Sequence, residues 1–207
     1  MAGASRTFDQ GLSMSGSDFI KLCHAVRGRM GRGRYRHSAS VARVAEKLAV
    51  RHGASPLKAR VAGVIHDIAR LWKGEELIAY ARAHGLPVSD AARNAPVLLH
   101  APVAADIARR EFRIGDPDVL GAIARHTVAV PGMTRLEQIV YLADTVEPGR
   151  TYEGRAELEA KAFESLDDAM LLAVKESLKY LMTRHVPIAQ ETVQLYNQMV
   201  HRNGNSA

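Results

Sequence analysis

From residue 18 onward, apolar positions recur three and four apart, the spacing that lines one face of an α-helix. The pattern predicts a first helix over residues 18–30, with Asp18 as N-cap and the following glycines as its stop. A second over residues 38–52 places Val41, Val44, Ala45 and Leu48 on one face and ends at Gly53. Ser55 and Pro56 open a third, as N-cap and first helical residue, which runs through Ala69. Helices over residues 75–84 and 97–112 follow, parted by Gly85-Leu86-Pro87, and Asp116-Pro117 opens another that ends near His126. Beyond the turn at Val130-Pro131-Gly132, Thr134 and Glu137 form a capping box for a helix over residues 136–146. Three more helical stretches fill residues 155–200, interrupted near Pro187. No internal repeat, long linker or strand emerges. The expected fold class is therefore all-α, a compact helical bundle, with residues 18–200 as a single domain behind a flexible segment of residues 1–17.

Composition agrees with this pattern and narrows the setting. The chain has 207 residues, enough for one domain with a full core, and its 47% hydrophobic but only 5% aromatic content argues against a sandwich or barrel. No run approaches the roughly 20 apolar residues of a membrane span, and the Ser- and Gly-rich start has no apolar block like that of a secretory signal. A cytoplasmic protein with no membrane partner is expected. The single Cys23 cannot form an internal disulfide and rules out a thiolate zinc module. The formal net charge of +6 favours an anionic partner without choosing among nucleic acid, nucleotide and acidic surface. Residues 27–36 hold five arginines among three glycines, a solvated loop or a phosphate-contacting lip.

Chemistry concentrates where polar residues interrupt apolar runs. In Val64-Ile65-His66-Asp67-Ile68-Ala69, a histidine and a carboxylate sit side by side at the end of an apolar helix. Burying both is costly without partners, and a cation supplies one. Taken alone the pair is a weak signal, since a solvated helix end explains it as well. His37 lies in Arg34-Tyr35-Arg36-His37-Ser38, and Asp144 ends the apolar run Ile139-Val140-Tyr141-Leu142-Ala143. His100 and His126 each follow apolar residues at a helix edge between these two. His24, His52, His84, His185 and His201 lack that context and are read as structural or surface residues.

His37, His66, Asp67 and Asp144 resemble the H…HD…D pattern of the HD superfamily of metal-dependent phosphohydrolases. With His100, His126 and the stretch Asp144-Thr145-Val146-Glu147-Pro148-Gly149-Arg150, the chain is similar to one subgroup, the YqeK family of symmetrical bis(5'-nucleosyl)-tetraphosphatases. The resemblance covers roughly residues 18–185 in consistent order. It implies a helical bundle of the HD-domain type and two divalent or trivalent metal ions, usually iron, with manganese, zinc or nickel also suited to imidazole and carboxylate donors. In that reading the metal ligands are His37, His66, Asp67, His100, His126 and Asp144, with Asp67 bridging the two ions and His100 and His126 serving the second. Asp67, Glu147 and Arg150 form the catalytic set, and Arg70, Lys73, Thr127 and Arg150 contact the substrate. Glu147 orients a water or Arg150, and Arg150 grips a phosphate bidentately. The implied substrate is a dinucleoside polyphosphate, with diadenosine tetraphosphate cut at its central bridge to two ADP by a hydroxide bridging the ions. Two positions depart from the family pattern: Arg70 stands where a lysine is common, and Ala129 where a glycine is usual.

Tyr35, Trp72 and Tyr80 are candidates for stacking on a base, but a core or rim position suits each of them better. Another HD phosphohydrolase, acting on a nucleotide or a phosphate monoester, would share the first four ligands but not require His100 and His126. A nucleic-acid or protein-binding module would use the basic charge and leave the histidine and carboxylate set unexplained. The sequence leaves the oligomeric state open, a homodimer included.

Overall fold

The computed structural model describes residues 12–204, which form eleven α-helices and one 3-10 turn with no strand among them. Residues 1–11, most of the segment expected to be flexible, lie outside the described residues. Leu12 is already buried in the core, and the first helix, α1, spans Gly16–Arg29. Its N-cap is Ser15, whose hydroxyl accepts from the Asp18 backbone N–H, so Asp18 sits in the first turn instead of capping it.

The second helix, α2, spans Arg32–His52, six residues longer at its start than the apolar spacing predicts. Gly31 and Gly33 and the clustered arginines obscure that start, because cations at a helix N-terminus oppose its dipole. Helix α3 (Pro56–Ile65) lies closely against α2. Gly63 permits this approach, since a Cβ there would come within 2.6 Å of the Ala42 Cα. Val41, Ala45 and Leu48 of α2 and Val61, Val64 and Ile65 of α3 are buried between them, each large aliphatic contributing roughly 1.5–3 kcal/mol.

Helix α3 ends at Ile65, short of the expected Ala69, and the chain continues in tight turns whose N–H groups at Ile68, Arg70 and Trp72 reach back three residues. His66 and Asp67 are thus set in a break in the helix. Helices α4 (Gly74–Ala83) and α5 (Asp90–Asn94) lead to the 3-10 turn Pro96–Leu99 and α6 (His100–Arg110). Helix α7 (Pro117–Ala124) starts at the Asp116 cap, and α8 (Arg135–Val146) starts at the expected Thr134–Glu137 capping box. Helices α9 (Arg155–Glu164), α10 (Leu166–Thr183) and α11 (Gln190–Gly204) complete the bundle. Helix α8 packs against α2, α3, α7 and α10. No described helix is long and apolar enough to cross a membrane.

Candidate metal centre and active site

Six side chains from five separate segments converge. His37 comes from the second turn of α2, His66 and Asp67 from the break after α3, and His100 from the start of α6. His126 follows α7, and Asp144 lies near the end of α8. His66, Asp67, His100 and His126 are buried, and Asp144 and His37 are partly so.

Asp67 divides the cluster. Its Oδ2 lies 3.3 Å from His66 Nε2 and 3.6 Å from His37 Nε2, while Oδ1 lies 3.2 Å from His100 Nε2 and 3.6 Å from His126 Nε2. Asp144 Oδ1 joins the first group, 2.9 Å from His37 Nε2 and 3.9 Å from His66 Nε2. Donors bound to one transition-metal ion at roughly 2.0–2.2 Å are separated from each other by about 3–3.5 Å, so both groups have the spacing of ligand sets.

The tautomers point the same way. The Nδ1 atoms of His66, His100 and His126 each face a backbone carbonyl three residues earlier, at Gly63, Val97 and Ile123. A carbonyl only accepts, so each Nδ1 carries a proton, and in the neutral, metal-binding form each Nε2 presents a lone pair. His100 and His126 then aim two lone pairs at each other across 3.0 Å, an arrangement that needs a positive partner. The Nε2 atoms of His37 and His66 are buried with no hydrogen bond. Such orphans are costly, and two cations satisfy all four. The residues fit a dinuclear site of nitrogen and oxygen donors, without thiolate.

His37 differs in its outer partner. Its Nδ1 faces Glu147 Oε2 at 3.2 Å. Helix α8 ends at Val146, and Glu147 adopts an extended backbone that turns its carboxylate back toward α2. The Glu147 carboxylate thus goes to His37, and no side-chain bond between it and Arg150 is found among the described residues. The Arg150 backbone N–H donates to the Glu147 carbonyl, while the Arg150 side chain goes to Asp144. Gly149 stands where a Cβ would lie 2.8 Å from Glu147 Oε2, so the turn leaves that carboxylate room.

Two arginines neutralise the carboxylates. Arg34 Nη1 donates to Asp67 Oδ2 at 2.7 Å, and Arg150 Nη2 donates to Asp144 Oδ1 at 2.6 Å while its Nε donates to the Asp144 carbonyl. Burial opposes ionisation of Asp67 and Asp144, but the surrounding imidazoles hold both well below the usual carboxylate range, helped at Asp144 by Arg150. Burial pushes His126 down toward its neutral, metal-binding form. At His66 burial acts in the same direction, but the charges of Asp67 and Asp144 outweigh it and raise the value.

Beside the first ligand group opens a cavity of about 490 Å³ lined by Gly33, Arg34, Arg36, His37, Ser40, Arg43, Glu147, Gly149 and Arg150. Its α2 residues fall on one helical face, so the N-terminal end of the helix and its arginines turn toward the same space. The basic run, expected as a loop or phosphate-contacting lip, largely forms the start of α2, and Arg34, three residues before His37, shares a helical face with it.

The other expected contacts lie elsewhere. Lys73 is exposed at the start of α4, and neither it nor Arg70 lines this cavity or makes a described side-chain contact with the cluster. Thr127 has a buried Oγ1 without a partner and lines a separate cavity of about 190 Å³ with Leu98 and Leu99. Of the candidate stacking aromatics, Trp72 packs edge-on against Tyr80, which stacks on His84 at 3.9 Å, while Tyr35 packs against the core beside Cys23.

Comparison with known proteins agrees with this geometry. The HD domain family model matches residues 34–149, which include all six cluster residues. The symmetrical bis(5'-nucleosyl)-tetraphosphatase of Bacillus subtilis is 35% identical over 84% of this chain and 94% of its own length. The protein of the same name from Halalkalibacterium halodurans is 33% identical over 87% of this chain and 96% of its own. Among solved structures, a predicted HD superfamily hydrolase involved in NAD metabolism from Clostridium acetobutylicum superposes with a TM-score of 0.85. It is 33% identical and covers 89% of this chain and 97% of its own. The chain therefore belongs to the HD-domain family, in the branch that carries the symmetrical bis(5'-nucleosyl)-tetraphosphatases.

Proposed function

We propose that the protein hydrolyses diadenosine tetraphosphate at its central bridge, releasing two molecules of ADP. The observation that carries this reading is the division of Asp67, one oxygen toward each histidine pair, beside an arginine-lined cavity. His37, His66, Asp67 and Asp144 would hold one ion, and Asp67, His100 and His126 the other. When bound, the pair supplies Lewis-acid charge and an activated water.

The chain's own residues do the rest. Arg34, Arg36, Arg43 and Arg150 offer guanidinium forks to a tetraphosphate, and the positive end of the α2 dipole adds to them. Arg34 and Arg150 also fix the two carboxylates, so their charge is already in place where negative charge grows on the phosphoryl oxygens. Glu147 holds His37 by its outer nitrogen, which makes it a positioning residue here. Thr127, Arg70 and Lys73 are left as outer contacts for a long substrate. Water adds to a phosphorus at the central P–O–P bridge, and the other half departs as ADP.

Iron is the proposed metal, the donor set being equally suited to manganese, zinc or nickel. A free Cys23 and a nucleotide substrate fit the cytoplasm. Metal-loaded protein assayed against diadenosine tetraphosphate, a deoxynucleoside triphosphate and a nucleoside monophosphate tests the reading. Preference for the dinucleotide by at least an order of magnitude in kcat/KM is expected. Preference for either mononucleotide would replace it with another HD phosphohydrolase activity.

A further inference from the structure

A second cavity, of about 470 Å³, opens on the other side of Arg150, between α8 and α10. That volume lies within the roughly 300–1,000 Å³ of small-molecule pockets. Tyr141, Asp144 and Thr145 line it from one face of α8, and Ala173, Glu176, Ser177 and Tyr180 from one face of α10. Arg150, Tyr152 and Glu153 close it from the loop after α8. The Tyr152 hydroxyl donates to the Thr145 carbonyl at 3.1 Å, which pins that ring to α8. Tyr180 is 59% exposed, with the Arg184 guanidinium 5.6 Å from its ring centroid.

The two cavities differ in charge and share Arg150. One presents four arginines and one carboxylate, while the other presents tyrosines with Glu153 and Glu176. A phosphate chain is attracted to the first and repelled by the carboxylates of the second. A nucleoside is suited to the second, because a base has a face for an exposed tyrosine ring, and ribose hydroxyls and an exocyclic amine donate to carboxylates.

From this contrast we infer that the groove between α8 and α10 holds one nucleoside of the substrate, with its base against Tyr180 and Tyr152. Its phosphates pass Arg150 into the arginine-lined cavity. The assignment rests on the proposed dinucleotide hydrolysis and adds where one end of the substrate lies. It places base recognition on Tyr152 and Tyr180 instead of Tyr35, Trp72 or Tyr80.

The test is steady-state kinetics on diadenosine tetraphosphate with metal-loaded wild type, Tyr180→Ala, Tyr180→Phe and Glu176→Lys, each also titrated with ADP by calorimetry. Tyr180 is exposed enough that its truncation leaves the core intact. Tyr180→Ala should raise KM and the ADP dissociation constant on the order of ten- to a hundred-fold with kcat within about two-fold, and Tyr180→Phe should restore both. Glu176→Lys should also raise KM. Unchanged KM and ADP affinity in Tyr180→Ala would overturn the assignment. A lower KM in Glu176→Lys would do the same, because it would mean that phosphate occupies the groove. If wild type itself leaves diadenosine tetraphosphate uncut while still binding ADP through Tyr180, the hydrolytic reading fails and the nucleoside site stands.

Discussion

Glu147→Ala separates positioning from chemistry. The Glu147 carboxylate is nearly buried and faces His37 Nδ1 at 3.2 Å. Burial alone would raise its pKa, but hydrogen bonds from Ser40, the Gly149 backbone and His37 hold it below the ordinary glutamate value, so it stays ionised. A hydrogen bond to a charged group contributes roughly 1.5–3 kcal/mol, and loss of an outer partner of a metal-bound histidine typically weakens metal affinity or activity by about 10–100-fold. Only His37 depends on Glu147, since the other three histidines are held by carbonyls. The loss should therefore fall on one of two ions: the site of His37, His66, Asp67 and Asp144 weakens by about 10–100-fold, and the site of His100 and His126 keeps its affinity. Glu147→Gln keeps an acceptor without the charge and should lie between. Gly149→Ala, whose Cβ would lie 2.8 Å from Glu147 Oε2, should reproduce part of the effect with Glu147 present. Competition titration against a chelator, resolved into two steps, measures it. Full occupancy of both sites in Glu147→Ala together with lost turnover would refute the reasoning and place Glu147 in the chemical step.

His100→Ala and His126→Ala should each weaken the second ion and lower turnover by orders of magnitude, because charge neutralisation at phosphorus is mainly the metals' work; metal analysis beside kinetics checks both. Arg150→Ala should raise KM through the lost phosphate grip and also lower kcat, since the guanidinium holds Asp144 Oδ1 at 2.6 Å, and Arg150→Lys should recover only part of either. Away from the site, burial and Asp106, whose carboxylate accepts from the Tyr80 hydroxyl, push the Tyr80 phenol up to about 12. A raised phenol contributes stability that is fully present below its unfolded value near 10 and is lost as pH climbs toward 12. Urea unfolding should show wild type more stable than Tyr80→Phe by about 1 kcal/mol near neutral pH, with the difference vanishing across that window. A constant difference would contradict the assigned hydrogen bond.

Much of the fold was legible because helix signals are local. The Thr134–Glu137 box, the Ser55-Pro56 start and the Gly53 stop are recorded in neighbouring residues and appear in the structure where expected. The six cluster residues were legible for another reason: polar residues closing apolar runs are costly unless something pairs them. What stayed hidden depends on residues far apart in sequence. The start of α2 at Arg32 is locally unfavourable, and Asp67, on another segment, meets one of its arginines. Glu147 was recognised, but its partner could not be, because His37 approaches from α2 and the helix stops one residue before Glu147. The aromatics divide in the same way: Trp72 and Tyr80 pack against each other, in keeping with a core or rim role, whereas Tyr152 and Tyr180 meet in one groove only through the packing of α8 on α10.

The central claim is cleavage of the middle bridge by this metal cluster, and product analysis tests it most directly. Metal-loaded protein incubated with diadenosine tetraphosphate should yield ADP as the sole nucleotide product, two for each substrate consumed, with the activity abolished by chelation and restored by iron or manganese. ATP and AMP in equal amounts, or ADP release that survives complete removal of metal, would contradict it.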